Sequence, residues 1–121
     1  MSTASRTSRK VIVTGSTGLV GSSLVNVNQR QDQVIEWIGV SSKDGDLRDY
    51  NQVVNMLSKI IIDHGGSGSI DGIIHLAANV GGLFKNMAYP VEMLEDNLLM
   101  NTNILKAAHA LDIDNVVVFM Y

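Results

Sequence analysis

A glycine-rich stretch near the amino terminus constrains the fold of this chain most strongly. Residues 11–21 read Val-Ile-Val-Thr-Gly-Ser-Thr-Gly-Leu-Val-Gly, a β-branched run that breaks into three glycines spaced three residues apart. Gly15 allows a sharp turn, Gly18 allows the backbone to approach a ligand, and Gly21 allows a helix to pack closely on the strand. The stretch therefore predicts a strand, a tight turn and the start of a helix.

This arrangement also predicts a site for the pyrophosphate of a dinucleotide. The N–H groups in the first turn of a helix lack partners within the helix, and together with the positive end of the helix dipole they attract anions. The candidate residues are Gly15, Ser16, Thr17, Gly18, Leu19, Val20 and Gly21. A purely structural turn is the alternative, because glycine-rich turns join strands to helices in many folds.

The end of the next predicted strand bears on the choice of cofactor. Residues 34–40 contain Val, Ile and Trp, which favour a strand, and Ser41, Ser42 and Lys43 follow them. NAD-binding domains usually place a carboxylate about 20 residues beyond the glycines, where it binds the adenosine ribose. Two hydroxyls and an ammonium group suit the 2′-phosphate of NADP instead. NADP is therefore predicted, and Asp44 keeps NAD open as the alternative.

The rest of the chain predicts two further strands, each preceded by a helix. Apolar residues recur at helical spacing after Asp49, which is a favourable N-cap, and Gly65 is predicted to cap the end of that helix. Residues 70–78 are predicted to contain a strand, and residues 73–78 are apolar almost throughout, as in a parallel strand covered on both faces. A helix from Pro90 to about residue 111 carries apolar residues on more than one side, and residues 115–121 predict a last strand.

The alternation of strands and helices predicts a doubly wound, Rossmann-type α/β fold with a parallel sheet. The expected strand order is 2-1-3-4, with a ligand at the carboxyl ends between strands 1 and 3. Residues 10–121 are expected to form this one domain, truncated after about four strands, and residues 1–9 a disordered tail. The two-sided helix and the apolar last strand predict self-association, in the simplest case as a homo-oligomer.

Composition argues against several other functions. A net charge of −3 gives no basic footprint for nucleic acid, and no apolar stretch reaches the length of a membrane span. There is no cysteine and the three histidines lie far apart in sequence, so no metal site is expected. The lack of cysteine fits a reducing compartment, and a cytoplasmic location is expected. His75, in an apolar strand, is predicted to be a core residue rather than a catalytic base.

Four stretches resemble the extended short-chain dehydrogenase/reductase family and, within it, the GDP-L-fucose synthases. They are residues 11–21, Ser41-Ser-Lys-Asp-Gly-Asp-Leu47, His75-Leu-Ala-Ala-Asn-Val-Gly-Gly-Leu-Phe-Lys-Asn86, and Asn97 with Asn101-Thr-Asn-Ile-Leu105. The resemblance covers nearly all of the chain after the tail but only the N-terminal part of the family's fold. It implies that Gly15 to Gly21 hold the pyrophosphate and that Ser41 to Lys43 face the 2′-phosphate. It further implies that Asp46 and Leu47 contact adenine and that Ala77 and Ala78 line the ribose or nicotinamide.

The same resemblance implies an NADP-dependent epimerisation and reduction of GDP-4-keto-6-deoxymannose to GDP-L-fucose. That family uses a Ser and a Tyr-x-x-x-Lys pair for reduction, and a Cys and a His for epimerisation. Here Tyr50 and Tyr89 have Val54 and Met93 four residues on, Tyr121 is the last residue, and no cysteine occurs. No catalytic residue is therefore assigned. The substrate domain is expected to be absent, so that a GDP-sugar would bind only with a C-terminal part. The alternative is a non-catalytic nucleotide-binding or dimerising module.

Overall fold

The computed structural model describes residues 9–16, 35–76 and 90–118. In chain order these residues form β1 (Arg9–Thr14), β2 (Ile35–Val40), α1 (Tyr50–Asp63), β3 (Gly72–His75), α2 (Pro90–Ala110) and β4 (Val116–Val118). The strands form one sheet in the order β2-β1-β3-β4, and each neighbouring pair is parallel. The predicted α/β fold with strand order 2-1-3-4 is confirmed.

Several predicted features lie outside the described residues. They are the tail up to residue 8, the turn and helix from Thr17 onward, the segment that contains Ala77 and Ala78, and the last three residues of the chain. One boundary differs from the prediction. β1 begins at Arg9, which pairs with Ile35, so the first strand starts inside the segment that was assigned to the tail.

One apolar core lies between the sheet and the two helices. The sheet contributes Ile12, Val40 and Ile73, and each helix contributes three buried residues: Val53, Met56 and Leu57 from α1, and Ile104, Ala107 and Ala108 from α2. Both helices therefore cover the same face of the sheet and pack against each other. Burial of these apolar side chains is the main force that holds the helices on the sheet.

The ends of α1 follow from local sequence. Asp49 has an extended backbone, and its side chain accepts hydrogen bonds from the N–H groups of Asn51 at 3.0 Å and Gln52 at 3.5 Å. The predicted N-cap is confirmed, and such a cap contributes about 1 kcal/mol. The C-cap residue is His64, not Gly65 as predicted. Gly65 is the next residue and has a φ of +120°, because the chain leaves a helix most easily through a left-handed residue just after the cap.

The two apolar sides of α2 have different surroundings. One side supplies the buried residues of the core. The other side is exposed to solvent and carries Val91, Leu94, Leu98 and Leu105. The prediction that this helix is apolar on more than one side is therefore confirmed, and only one of those sides is packed on the sheet.

Candidate functional site

The carboxyl ends of three strands lie side by side. Thr14, the last residue of β1, is paired with Val40 at the end of β2 and with His75 at the end of β3. The connections run in opposite directions from β1, because β2 lies on one side of it and β3 on the other. Such a switch point opens a crevice beyond the strand ends, where α/β sheets bind their ligands.

The turn after β1 is held by the end of β2. Gly15 has a φ of +68°, in the left-handed region that favours glycine. The backbone N–H and the hydroxyl of Ser16 both donate to the carbonyl oxygen of Val40, each at 3.2 Å. A Cβ atom on Gly39 would lie only 2.7 Å from the Cβ of Ser16. Gly39 therefore leaves the space that Ser16 occupies, a role that no local sequence pattern indicates.

Thr14 and His75 join β1 to β3 at the switch point. Thr14 Oγ1 accepts the N–H of Leu76 at 3.0 Å and lies 2.7 Å from His75 Nδ1. Both side chains are fully buried, and in the described part of the chain His75 Nε2 has no partner of hydrogen-bonding geometry. Burial lowers the pKa of His75, and the side chain of Asn101 on α2 acts in the opposite direction. His75 is thus a core residue, as predicted, but among the described residues its Nε2 lacks the partner that a satisfied core histidine would have.

The first part of the loop after β2 folds back on itself. Asp44 Oδ2 accepts the N–H of Ser41 at 2.8 Å, and the Ser41 carbonyl accepts the N–H of Asp44 at 2.9 Å. Ser41 Oγ also accepts the N–H of Lys43 at 3.4 Å. Ser42 and Lys43 are exposed, and within the described ranges the Lys43 ammonium group forms no ion pair. The loop thus offers a cation and two hydroxyls directly beside the strand ends.

The second part of the same loop precedes α1 and contacts α2. Arg48 donates from Nε to Asp46 Oδ1 and from Nη2 to Asp46 Oδ2, both at 3.1 Å. These hydrogen bonds hold the pKa of Asp46 below its usual value. The carbonyl of Leu47 accepts a hydrogen bond from Nδ2 of the buried Asn103 at 2.9 Å. Arg48 and Asn103 were not predicted as site residues, because neither forms a recognisable local motif with its partner.

Within residues 9–16, 35–76 and 90–118, no three His, Asp or Glu side chains are grouped so that they could hold a metal ion. In the same ranges, no helix combines the length and the apolar character that a membrane span requires.

A parallel α/β sheet with a glycine turn, a serine–lysine loop and a switch point at its carboxyl edge defines a nucleotide-binding class of protein. Comparison with known families agrees with this geometry. The chain belongs to the NAD dependent epimerase/dehydratase family, whose model matches residues 11–120.

The more similar relatives are GDP-L-fucose synthases. The chain is 41% identical over 102 residues to a probable GDP-L-fucose synthase from Drosophila melanogaster, a match that covers 84% of this chain and 29% of that protein. It is 36% identical over 104 residues to GDP-L-fucose synthase from Dictyostelium discoideum, which covers 85% of this chain and 30% of that protein. The chain therefore spans less than a third of the length of these relatives.

Solved structures give the same result. A GDP-L-fucose synthetase from Naegleria fowleri bound to NADP matches with a TM-score of 0.69 and 33% identity, over 93% of this chain and 31% of that one. A dTDP-4-dehydrorhamnose reductase from Bacillus anthracis matches with a TM-score of 0.70 at 18% identity, which supports the fold alone. The resemblance to GDP-L-fucose synthases is confirmed.

The predicted site residues fall into two groups. Gly15 and Ser16 lie against the end of β2, and Ser41, Ser42, Lys43, Asp46 and Leu47 follow it on one loop. Thr17, Gly18, Leu19, Val20 and Gly21 lie outside the described residues, as do Ala77 and Ala78. The structure thus brings the first group to the carboxyl edge, and contact of either group with a cofactor stays a prediction.

Proposed function

We propose that this chain is the NADP-binding part of an enzyme similar to GDP-L-fucose synthase. One observation carries the proposal: the ends of β1, β2 and β3 meet at a switch point, and the turn at Gly15 and Ser16 lies against the start of the Ser41–Lys43 loop. In a dinucleotide domain the pyrophosphate binds at such a turn, and the adenosine ribose binds at the end of the second strand. The NADP bound by the Naegleria fowleri relative supports the same assignment.

Lys43 supports NADP over NAD. Its ammonium group is exposed and forms no ion pair in the described part of the chain, whereas Asp44 is occupied with the N–H of Ser41 at 2.8 Å. A cation beside two serine hydroxyls attracts a 2′-phosphate, whereas a protein carboxylate placed to bind the ribose would repel it. We assign Ser41, Ser42 and Lys43 to that phosphate.

Titration of the 121-residue chain with NADPH and NADH tests this assignment. The chain should bind NADPH more tightly, and Lys43→Ala should remove most of the difference, because a charge-assisted phosphate contact contributes about 1.5–3 kcal/mol. Lys59→Ala is the matched control, since Lys59 is an exposed lysine on α1. Equal affinity of the unmutated chain for the two cofactors would contradict the assignment.

The chemistry of the whole enzyme is a separate part of the proposal. The relatives' names imply synthesis of GDP-L-fucose. We propose that a longer protein containing this chain forms it in the cytoplasm from GDP-4-keto-6-deoxymannose, the substrate that the family resemblance implies. These 121 residues hold neither a Tyr-x-x-x-Lys pair nor a cysteine. Reduction of a ketone needs a positioned proton donor for the developing alkoxide, so we propose that the chain alone binds NADPH without oxidising it in the presence of the GDP-sugar. Loss of NADPH absorbance with that substrate would contradict this.

A second candidate function is dimerisation through α2. The exposed residues Val91, Leu94, Leu98 and Leu105 recur at helical spacing and form one apolar stripe. The exposed charges beside it are acidic near the start of the helix, at Glu92 and Glu95, and basic near its end, at Lys106. Two copies packed antiparallel would place acidic groups opposite basic ones, so we propose a second copy of this chain as the partner.

Light scattering across a concentration series tests the dimer. We expect a dimer that Leu98→Lys dissociates, because the substitution places a charge within the apolar contact. Ile62→Lys is the control, since Ile62 is an exposed apolar residue on α1, away from the stripe. A monomer at high concentration would overturn the proposed dimer and leave the cofactor assignment untouched.

A further inference from the structure

Two Asp-Gly sequences of the chain lie in opposite surroundings. Asp44-Gly45 is in the loop after β2, and Asp44 is exposed there. Asp71-Gly72 leads into β3, where the Asp71 side chain is only 16% exposed and Gly72 is buried. In an Asp-Gly sequence the aspartate side chain closes a ring with the backbone most readily, because glycine has no Cβ to obstruct its nitrogen. The same chemical unit therefore occurs once in an open site and once in a closed one.

Asp71-Gly72 is the closed site. The Asp71 carboxylate accepts the N–H of Lys10 at 2.7 Å and lies 3.8 Å from Nη1 of Arg9. Its backbone N–H donates to the carbonyl of Lys10 at 2.8 Å. A Cβ on Gly72 would lie 2.9 Å from the carbonyl oxygen of Asn115, so the backbone of Gly72 has no room to turn. Ring closure here would require these contacts to break and the start of β3 to leave the sheet.

Asp44-Gly45 is the open site. In the described part of the chain, the Asp44 carboxylate accepts only the N–H of Ser41, at 2.8 Å, and the N–H of Gly45 has no hydrogen-bond partner. The atom nearest to a Cβ on Gly45 would be 3.6 Å away, so this backbone has space to move. Hydrogen bonds in exposed loops open at a much smaller free-energy cost than those of a sheet. Once the bond to Ser41 opens, rotation of the Asp44 side chain brings its carboxyl carbon against the nitrogen of Gly45.

We propose that Asp44-Gly45 is a site of spontaneous isomerisation, at which Asp44 becomes isoaspartate in the folded protein while Asp71 does not. The nitrogen of Gly45 attacks the carboxyl carbon of Asp44. The amide proton, a carboxyl oxygen and a proton from solvent leave as one water molecule, and a cyclic imide remains. Water then adds at the backbone carbonyl carbon of Asp44, and the bond from this carbon to the Gly45 nitrogen breaks. The new carboxylate returns the proton to solvent, and the chain runs through the former side chain, with no oxidant or reductant required.

Isomerisation would change the loop between two fixed points. Val40 is held in the sheet, and the N–H of Asp46 donates to Gln52 Oε1 at 2.9 Å. The backbone between them gains one methylene group, and the carboxylate moves onto Cα, away from the N–H of Ser41. Lys43 is displaced with the loop, so NADPH should bind less tightly to aged protein. This consequence, unlike the isomerisation itself, rests on the proposed NADP site.

The test is a timed incubation of the 121-residue chain at neutral pH, followed by mass spectrometry. Electron-transfer fragmentation distinguishes isoaspartate from aspartate, and the imide is lighter by one water molecule. Cleavage after arginine gives residues 31–48 with Asp44, and trypsin gives residues 60–85 with Asp71. The isomerised fraction at Asp44 should exceed that at Asp71 by about tenfold or more. Asp46-Leu47 is the internal control on the same loop, because the leucine side chain obstructs the attacking nitrogen.

Two further arms separate the fold from the sequence. In guanidinium chloride both Asp-Gly sequences are exposed and should isomerise at similar rates, since the local chemistry is the same. Gly45→Ala should slow the reaction at Asp44 by about tenfold in a chain that stays folded by circular dichroism, because the added methyl group has space. The affinity for NADPH should fall during incubation of the unmutated chain and stay constant in Gly45→Ala.

Equal isomerisation of Asp44 and Asp71 in the folded chain would overturn the proposal. So would an unchanged Asp44 after an incubation that modifies it in the unfolded chain. A loss of NADPH affinity that is the same in Gly45→Ala would overturn the consequence drawn for the loop. Fresh, folded protein that binds neither NADPH nor NADH would overturn the proposed function, and the isomerisation would still be decided by the mass spectra.

Discussion

The edge of the sheet formed by the amino ends of the strands (the amino edge) and the edge formed by their carboxyl ends (the carboxyl edge) differ in how completely their polar groups are paired. At the amino edge, the Asp71 carboxylate accepts the N–H of Lys10 at 2.7 Å, and Lys10 Nζ donates to the carbonyl of His64 at 3.2 Å. At the carboxyl edge, within the described residues, the Lys43 ammonium forms no ion pair and His75 Nε2 has no hydrogen-bond partner. In the described residues, the polar groups of the amino edge thus pair with one another, whereas the exposed Lys43 ammonium group is free to contact the proposed cofactor.

The largest effect should come from Gly72→Ala at the amino edge. The new Cβ would lie 2.9 Å from the carbonyl oxygen of Asn115, which is backbone and itself accepts the N–H of Ile73 at 2.8 Å. Because that oxygen cannot turn away, we expect a loss of about 1–3 kcal/mol in the free energy of unfolding, measured with urea. Gly45→Ala is the control, because the atom nearest to its new Cβ is 3.6 Å away, at ordinary contact distance. Equal stability of the two variants would show that the backbone at the amino edge can adjust to the added methyl group.

Gly39→Ala at the carboxyl edge should act on binding more than on stability. Its Cβ would lie 2.7 Å from the Cβ of Ser16, a side chain on a turn that can move. Displacing the turn should raise the Kd for NADPH by about tenfold, which is about 1.4 kcal/mol.

A double-mutant cycle sharpens this prediction. In a Ser16→Gly background the contact no longer exists, so Gly39→Ala should cost no further affinity. An equal loss of affinity in both backgrounds would mean that Gly39 acts on the site by some route other than Ser16.

The smallest effect should be the pH dependence that His75 contributes. Its folded-state pKa is lowered from 6.5, so below about pH 6.5 the unfolded chain binds more protons than the native one. The free energy of unfolding should therefore fall as the pH drops through that value and stay level above it. His75→Gln should flatten this part of a urea-unfolding profile. A slope that survives in His75→Gln must come from other groups.

The fold could be predicted because its signals are local. Three glycines after a β-branched run, the N-cap at Asp49 and the helical spacing of Val53, Met56 and Leu57 each specify structure within a few residues of themselves. The serine–lysine loop was found in the same way, since it directly follows a strand.

The remaining contacts join residues that are distant in sequence or depend on the orientation of one side chain. Gly39 affects the site only because Ser16 lies against it. Asn103 affects the site only because α2 brings its side chain within hydrogen-bonding distance of the Leu47 carbonyl. Arg48 stands two residues after Asp46, but an Asp-x-Arg sequence does not show that both carboxylate oxygens are engaged. No periodicity or motif encodes such pairings, so they could not be predicted from the sequence.

The parallel pairing of the strands has a consequence for the order of assembly. Thr14 meets His75 across 61 positions of sequence, and no two neighbouring strands of the described sheet are joined by a hairpin. Each pair of neighbouring strands must therefore close a long loop of chain before its hydrogen bonds form, which gives a high contact order and slow folding. On the ribosome, the first strand must remain without its central neighbour until β3 has left the exit tunnel, and during that interval chaperones have access to it.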